Sequence, residues 1–129
     1  MKYYTLLYAL YVIVVVPSMQ TACSKGQPTP LYELLETSFQ FQNLRTDSGL
    51  ARHRFWIMNL SDKNLEAMRT QPSCPCMTAS HCHDVALKGD SLWIDVFFDT
   101  AGYEGTFEKS IKVETTLGGF DLYISGTVE

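Results

Sequence analysis

Residues 91–98 read SLWIDVFF, and this stretch decides the fold class of the chain. Apolar side chains occupy every second position. Successive residues of a β-strand point to opposite faces of its sheet, so the alternation predicts a strand with one buried and one partly solvated face. The predicted inner set is Leu92, Ile94, Val96 and Phe98, and the predicted outer set is Trp93, Asp95 and Phe97.

The same two-residue period recurs on both sides of this stretch. It predicts strands at residues 38–44, 52–60, 105–116 and 120–128, with a weaker candidate at 64–71. Turn-forming clusters such as TDSG and SDKN separate these strands. Because no long helical pattern follows residue 38, a Rossmann or thioredoxin-like fold is excluded. The spacing indicates an all-β sandwich of about seven strands.

Composition narrows the functional classes. The chain has 129 residues with 46% apolar and 19% charged side chains, which is typical of one globular domain. Its net charge is −4 and it has no basic patch, so nucleic acid is not an expected partner. It contains no glycine-rich phosphate loop and no Gly-x-Ser-x-Gly motif, so we predict no enzymatic activity. The carboxylates Asp95, Asp99, Glu104 and Glu108 are interpreted as parts of a solvated face.

The N-terminus has the pattern of an export signal. Lys2 precedes an uncharged, mostly apolar run that Pro17 ends, and this run is shorter than the roughly 20 residues of a membrane-spanning helix. Thr21-Ala22-Cys23 resembles the lipobox of bacterial lipoproteins, in which the cysteine is acylated after cleavage. Two alternatives remain: an ordinary signal peptide cut near Ala22, or an uncleaved anchor.

These features predict three segments. Residues 1–22 are a lipoprotein signal peptide, residues 23–37 carry the lipidated Cys23 and a tether, and residues 38–129 form the sandwich. The tether prediction depends on the Gly, Pro and small polar residues at 24–30. Residues 31–37, LYELLET, fit either a short helix or the start of a strand. The expected location is the bacterial cell envelope, at the outer membrane or the periplasmic face.

Cysteine and histidine concentrate at residues 71–84, QPSCPCMTASHCHD. A disulfide is one interpretation, and Cys82 is then the freer partner because a bond between Cys74 and Cys76 closes a very small ring. A Zn²⁺ or Cu⁺ site is another, although the spacing fits no standard zinc module, and thiol redox chemistry is a third. We predict no cofactor, and favour buried cysteines or a disulfide at a strand end. His81 and His83 are then solvated loop residues.

Three aromatic side chains form a possible contact patch. Trp93 and Phe97 share the outer face of their predicted strand, and Trp56 is in the corresponding phase of another strand. Exposed aromatic rings are typical of binding surfaces. The preferred alternative is that the rings lie beneath segment 31–35, whose own apolar side chains need to be buried against other apolar groups.

Several pieces of sequence follow one another in a characteristic order. They are HRFWIMNLSDKNL (53–65), PSCPCMT (72–78), LKGDS (87–91), VFFDT (96–100), GTFEKSIKVET (105–115) and LYISGTV (122–128). Together they resemble the domain of unknown function 1573 family, which is common in exported and lipid-anchored proteins of Bacteroides-type bacteria. The resemblance covers residues 38–128. It implies an immunoglobulin-like sandwich related to the major-sperm-protein and pilus-chaperone type, with no established enzymatic activity.

The cysteine motif departs from the family pattern, because Pro75 stands where the family has glycine and Met77 is an added residue. The triplet His81-Cys82-His83 is not part of that pattern. Together these observations predict a membrane-tethered binding or scaffolding module with a protein or glycan partner. The alternative is a metal-binding or thiol-redox protein that uses Cys74, Cys76, His81, Cys82 and His83.

Overall fold

The computed structural model describes residues 28–129, which form a sandwich of two four-stranded sheets. The predictions for the signal peptide, for Cys23 and for most of the tether lie outside this part of the chain. No helix capable of crossing a membrane occurs among the described residues. The eight strands are β1 (Tyr32–Leu34), β2 (Ser38–Gln40), β3 (Leu50–Asn59), β4 (Ala67–Pro72), β5 (Met77–His81), β6 (Ser91–Asp99), β7 (Gly105–Thr115) and β8 (Gly118–Val128).

Sheet I has the strand order β1-β3-β6-β5, and sheet II has the order β2-β8-β7-β4. All neighbours are antiparallel except β2 and β8, which pair in parallel. The first order is that of strands A, B, E and D of an immunoglobulin domain, and β4, β7 and β8 take the places of C, F and G. The predicted immunoglobulin-like sandwich is therefore confirmed, with eight strands instead of about seven.

The core lies between the inner faces of the two sheets. Alternation places Phe55 and Ile57 of β3 inward beside Ile94 of β6, and all three are fully buried. Phe98 of β6 stacks on Phe107 of β7, with ring centroids 4.0 Å apart. This stack joins sheet I to sheet II. Burial of large apolar side chains of this kind is the main stabilising contribution to such a domain.

The N-terminal segment contributes a strand to each sheet. Tyr32 pairs with Asn59 in sheet I, and Phe39 pairs with Ile124 in sheet II. The open choice between helix and strand at residues 31–37 is thus settled as strand for Tyr32–Leu34. Strand pairing therefore begins at residue 32, whereas the sequence predicted that the sandwich begins at residue 38. The three residues of β1 extend the edge of sheet I beside β3.

The crossing from β1 to β2 is fixed by His53, which points inward from β3. Its ring stacks on Phe39 with centroids 3.6 Å apart, and its Nε2 contacts Oε1 of Glu36 in the crossing itself. A half-buried histidine therefore connects the central strand of sheet I to the first strand of sheet II.

The sequence did not predict a strand within the cysteine and histidine stretch at residues 71–84, but the structure has β5 there. Met77 pairs with Phe98 and His81 with Ile94, so β5 forms an edge of sheet I beside β6. The interpretation of His81 as a loop residue is wrong, because this residue ends a strand. His83 does lie outside the strands and is exposed.

Candidate functional site

The strand β5 divides the cysteine and histidine stretch into two separate groups. Cys74 and Cys76 precede the strand and are joined by a disulfide. Cys82 follows the strand, is buried, and has no disulfide partner among the described residues. Six residue steps of extended chain separate Cys76 from Cys82, which corresponds to about 20 Å. The expectation that Cys82 is the freer partner for a disulfide is therefore wrong, because a strand holds it away from both other cysteines.

The second group consists of His81, Cys82 and His83. The two imidazole rings lie with centroids 4.9 Å apart. The Sγ atom of Cys82 is 3.4 Å from the backbone nitrogen of Asp84 and 3.5 Å from its Oδ2. Within residues 28–129, no three histidine, cysteine, aspartate or glutamate side chains are grouped so that they could hold a metal ion. The five candidate ligands are thus not brought to one place.

The outer face of sheet I carries a different cluster, which we term the arginine–aromatic face. It arises because alternate residues of two neighbouring strands point away from the core. In the register of the sheet, Arg52 is opposite Phe97, Arg54 opposite Asp95, and Trp56 opposite Trp93. The face is defined by Arg52, Arg54 and Trp56 of β3 and by Trp93, Asp95 and Phe97 of β6.

Asp95 lies at the centre of this face and binds both arginines. Arg54 donates from Nε to Oδ1 at 2.7 Å and from Nη2 to Oδ2 at 2.8 Å. Arg52 donates from Nη2 to Oδ2 at 2.6 Å. Paired hydrogen bonds between a guanidinium and a carboxylate are stronger and more directional than bonds between neutral groups. The interpretation of Asp95 as part of a solvated face is wrong, because its side chain is only 5% exposed beneath the arginines.

These contacts shift the pKa of Asp95. The hydrogen bonds from Arg54 are the largest cause, and they lower the pKa of the carboxyl below its ordinary value. Burial opposes this effect, while the hydrogen bond from Arg52 and the charges of both arginines add to it. The same hydrogen bonds raise the pKa of Arg54. Asp95 and Arg54 therefore remain charged together over the whole neutral range.

The guanidinium groups also contact the aromatic rings. Cζ of Arg54 is 4.5 Å from the ring centroid of Trp93 and 5.7 Å from that of Trp56, so this arginine lies against both indoles. Arg52 is 5.7 Å from the centroid of Phe97. Such cation–π contacts contribute about 0.5–1 kcal/mol each at exposed sites. These contacts hold the guanidinium groups against the aromatic rings.

The three aromatic side chains of the predicted contact patch lie on this face. Trp56 is 39% exposed, and Trp93 and Phe97 are half-buried. The preferred expectation, that residues 31–35 cover the rings, is wrong. The strand β1 pairs edge to edge with β3, as in the hydrogen bond from Leu35 N to Trp56 O at 3.2 Å, and it lies beside the face.

The exposed charge of the arginine–aromatic face is cationic. The side chains of Arg52 and Arg54 are 53% and 36% exposed, against 5% for Asp95. The whole sequence carries a net charge of −4, so the exposed charge of this face is opposite in sign to the net charge of the chain. Glu33 of β1 is opposite Met58 of β3 in the register of the sheet, and its exposed carboxylate lies at the border of the face.

The buried carboxylate leads to a pH prediction. The pKa of Asp95 is lower in the folded chain than its unfolded value of about 3.9, so its contribution to stability is complete above that value. It is lost as the pH falls through the lower folded pKa. Urea unfolding between pH 2 and 6 should show a steep loss of stability below about pH 4 in the wild type, and a smaller slope in Asp95→Asn.

Asp47→Asn is the matched control, because the Asp47 side chain is 74% exposed in its pair with Arg45. This variant should keep the wild-type dependence on pH, since exposed ion pairs contribute little to stability. Equal slopes for Asp95→Asn and the wild type would contradict the assignment of the acid-sensitive group to Asp95.

Comparisons with known proteins agree with the fold. Residues 32–128 match the model of the family described as Protein of unknown function (DUF1573). No curated protein matches the chain. A solved protein of unknown function from Porphyromonas gingivalis W83 is 14% identical, with a TM-score of 0.62 over 75% of this chain and 46% of the other.

Two further solved structures share the fold at low identity. The Vibrio cholerae VesB protease is 14% identical with a TM-score of 0.51, over 76% of this chain and 31% of the protease. A GH5 xyloglucanase from Bacteroides ovatus is 9% identical with a TM-score of 0.50, over 76% of this chain and 19% of the enzyme. The chain spans less than half the length of each of these solved proteins, and the likeness concerns the sandwich alone.

Proposed function

We propose that this chain, which belongs to the DUF1573 family of proteins of unknown function, is a non-catalytic binding module that contacts an acidic surface of a protein partner through its arginine–aromatic face. The observation that carries the proposal is the arrangement of exposed Arg52, half-buried Arg54 and exposed Trp56 around the buried carboxylate of Asp95. Tryptophan and arginine are the residues most enriched among the energetic hot spots of protein interfaces.

Preorganisation supports this function. Flexible side chains lose rotamer freedom on binding, which costs about 0.5–1.5 kcal/mol each. On this face Arg54 is already fixed by two hydrogen bonds to Asp95 and by its contact with Trp93. Arg52 is held by one hydrogen bond to the same carboxylate. A partner therefore meets side chains that have already lost most of their freedom.

Charge complementarity supports the choice of partner. The groups that a partner would meet first are guanidinium edges and aromatic rings, because Asp95 lies beneath them. A surface rich in aspartate and glutamate complements such a face, and complementary charges raise the rate of association. Because exposed charges are screened by salt, binding should weaken as ionic strength rises.

The proposed location is the cell envelope. Residues 1–22 would direct export, and Cys23 would carry a lipid that inserts into a membrane. Cys23 would then lie at most about 32 Å from Tyr32, the first residue of β1, since nine extended residue steps separate them. The sandwich would remain close to the membrane surface, where its partner would also be found.

The binding proposal is tested by affinity capture from envelope extracts of the producing cells, with the wild type and two variants as bait. The double variant Arg52→Glu/Trp56→Ala reverses one charge and removes the most exposed ring of the face. It should retain less than about one tenth of the captured partner, because two hot-spot residues are lost. The control is Tyr123→Ala on the outer face of sheet II, where Tyr123 is 42% exposed.

The control should capture as much partner as the wild type. Equal capture by all three baits, or loss in Tyr123→Ala alone, would contradict the assignment of the face. A captured species that survives protease but is destroyed by periodate would be a glycan, and this result would overturn the choice of a protein partner.

A further inference from the structure

The disulfide between Cys74 and Cys76 lies in the turn that carries the chain from β4 in sheet II to β5 in sheet I. Both cysteines are half-buried and pack against the hydrophobic core, and Pro75 between them is exposed. The bridge therefore lies at the border of the core, where both cysteines keep part of their surface in contact with solvent. A partly exposed disulfide can be attacked by an external thiolate, whereas a fully buried one is protected.

The turn is held in place without the bridge. Hydrogen bonds attach the main chain on each side of it to neighbouring strands or close the turn itself. They run from Ser73 N to Ser110 O at 2.9 Å, from Ser110 N to Ser73 Oγ at 3.1 Å, from Met77 N to Cys74 O at 3.3 Å, and from Asp99 N to Cys76 O at 2.9 Å. Opening the bridge leaves these contacts intact, so the two thiols would stay close to their present Cα–Cα separation of 5.3 Å.

The bridge itself constrains the chain very little. The stabilisation from a disulfide increases with the length of the loop that it closes, and here a single residue lies between the two cysteines. Its two ends are neighbours in one turn, so it does not connect distant parts of the chain. A bond that adds little to the stability of the fold can be broken and re-formed while the domain remains folded.

The third cysteine among the described residues, Cys82, does not compete for a disulfide with Cys74 or Cys76. Cys82 is buried at the opposite end of β5, and its backbone nitrogen is bonded to Trp93 O at 3.0 Å. It cannot reach Cys74 or Cys76 while β5 is paired with β6. The two bridged cysteines therefore form a closed pair that has no competing thiol among the described residues.

We infer that Cys74 and Cys76 form a thiol–disulfide exchange site for a dithiol of a partner protein, a function that goes beyond the proposed binding role. A thiolate of the partner attacks one sulfur of the bridge, which forms a mixed disulfide and releases the other cysteine as a thiolate. The second thiol of the partner then displaces the first cysteine. The partner gains a disulfide, and Cys74 and Cys76 receive two electrons and two protons as a pair of thiols.

The test is reduction of the folded chain by dithiothreitol, followed by alkylation and peptide mass mapping. Cys74 and Cys76 should be labelled without urea, while far-ultraviolet circular dichroism stays unchanged and the melting temperature falls by less than about 10 °C. Buried Cys82 should be labelled only after unfolding. The variant Cys76→Ser should form a mixed disulfide with glutathione at Cys74, and Cys82→Ser should behave as the wild type.

A bridge that resists dithiothreitol until urea unfolds the chain would overturn the inference. Loss of the β-sheet spectrum on reduction would overturn it as well, since the bridge would then be a structural clasp. These outcomes leave the binding proposal untouched, because the arginine–aromatic face contains neither Cys74 nor Cys76.

Discussion

Replacing Asn59 by alanine is expected to lower the free energy of unfolding by about 3–4 kcal/mol. Asn59 ends β3 and is fully buried. Its Nδ2 donates to the carbonyl oxygens of Lys63 at 2.7 Å and Ala86 at 2.8 Å. Its Oδ1 accepts from the backbone nitrogen of Ser61 at 2.9 Å and from the Ser61 hydroxyl at 3.0 Å. One side chain thus connects the loop after β3 with the segment before β6.

The expected loss is large because the groups left behind are buried. Each buried donor or acceptor without a partner costs about 1–3 kcal/mol, which is more than the net gain from an average hydrogen bond. Alanine would leave the buried backbone nitrogen of Ser61 without an acceptor. It would also remove one of the two donors to the oxygen of Ala86, which keeps only its bond from Leu65 N at 3.0 Å. A domain of this size has a total stability of about 5–15 kcal/mol, so the variant would lose a large part of it.

Urea unfolding of Asn59→Ala beside Lys63→Ala measures the effect. Lys63 is the matched control because Asn59 binds only its carbonyl oxygen, and the lysine residue is exposed. Lys63→Ala should change stability by no more than about 0.5 kcal/mol. A loss below about 1 kcal/mol for Asn59→Ala would show that the buried amide does not hold these loops.

Replacing Phe98 by alanine should cost about 3–5 kcal/mol, as for other buried phenylalanines. The ring is fully buried on the inner face of β6. It stacks on Phe107 at 4.0 Å and meets the edge of Tyr103 at 5.4 Å. Since Phe107 belongs to sheet II, the truncation removes a contact between the sheets and leaves a cavity behind.

Phe98→Leu is the control for the volume of this cavity. Leucine fills most of the space, so its cost should be about 1–2 kcal/mol. Both variants are compared with the wild type by thermal and urea unfolding. If alanine and leucine destabilise equally, the cost does not come from the cavity, and the description of Phe98 as a link between the sheets is incorrect.

Strand alternation in the sequence was sufficient to predict the fold class and six of the strands. Five strongly periodic segments correspond to β2, β3, β6, β7 and β8, although β2 ends at Gln40 and not at residue 44, and the weaker segment 64–71 corresponds to β4. It could not identify β5, whose sequence MTASH has small polar residues and little β-propensity. Pairing with β6 makes this segment a strand. The strand β1 was ambiguous for a similar reason, since three residues contain no measurable period.

The disulfide could not be predicted before β5 was known. Sequence spacing favoured Cys82 as a partner, since its separation from Cys74 and Cys76 avoids a small ring. Once residues 77–81 are extended, Cys82 is beyond reach. The relevant signal was present in the alternation of Met77 and Ala79 with Thr78 and Ser80, but it is too short to outweigh the cysteine spacing.

The arginine–aromatic face was predicted only in part. Trp56, Trp93 and Phe97 were recognised as possible contact residues from their phase in the strands. The role of Asp95 was missed, because β3 and β6 are far apart in sequence and only their register sets Arg54 opposite Asp95. Nothing in the sequence alone specifies that register, since β4 and β5 lie between the two strands along the chain.

The central claim, that the arginine–aromatic face is the binding surface, is tested most directly by a photo-activated benzophenone side chain placed at Phe97. A matched probe at Lys112 occupies the exposed outer face of sheet II, between the inward-facing Ile111 and Val113. Illumination of living cells should give a covalent adduct with one acidic protein from position 97 and none from position 112. An adduct from position 112 alone, equal adducts from both positions, or none from position 97 would contradict the account.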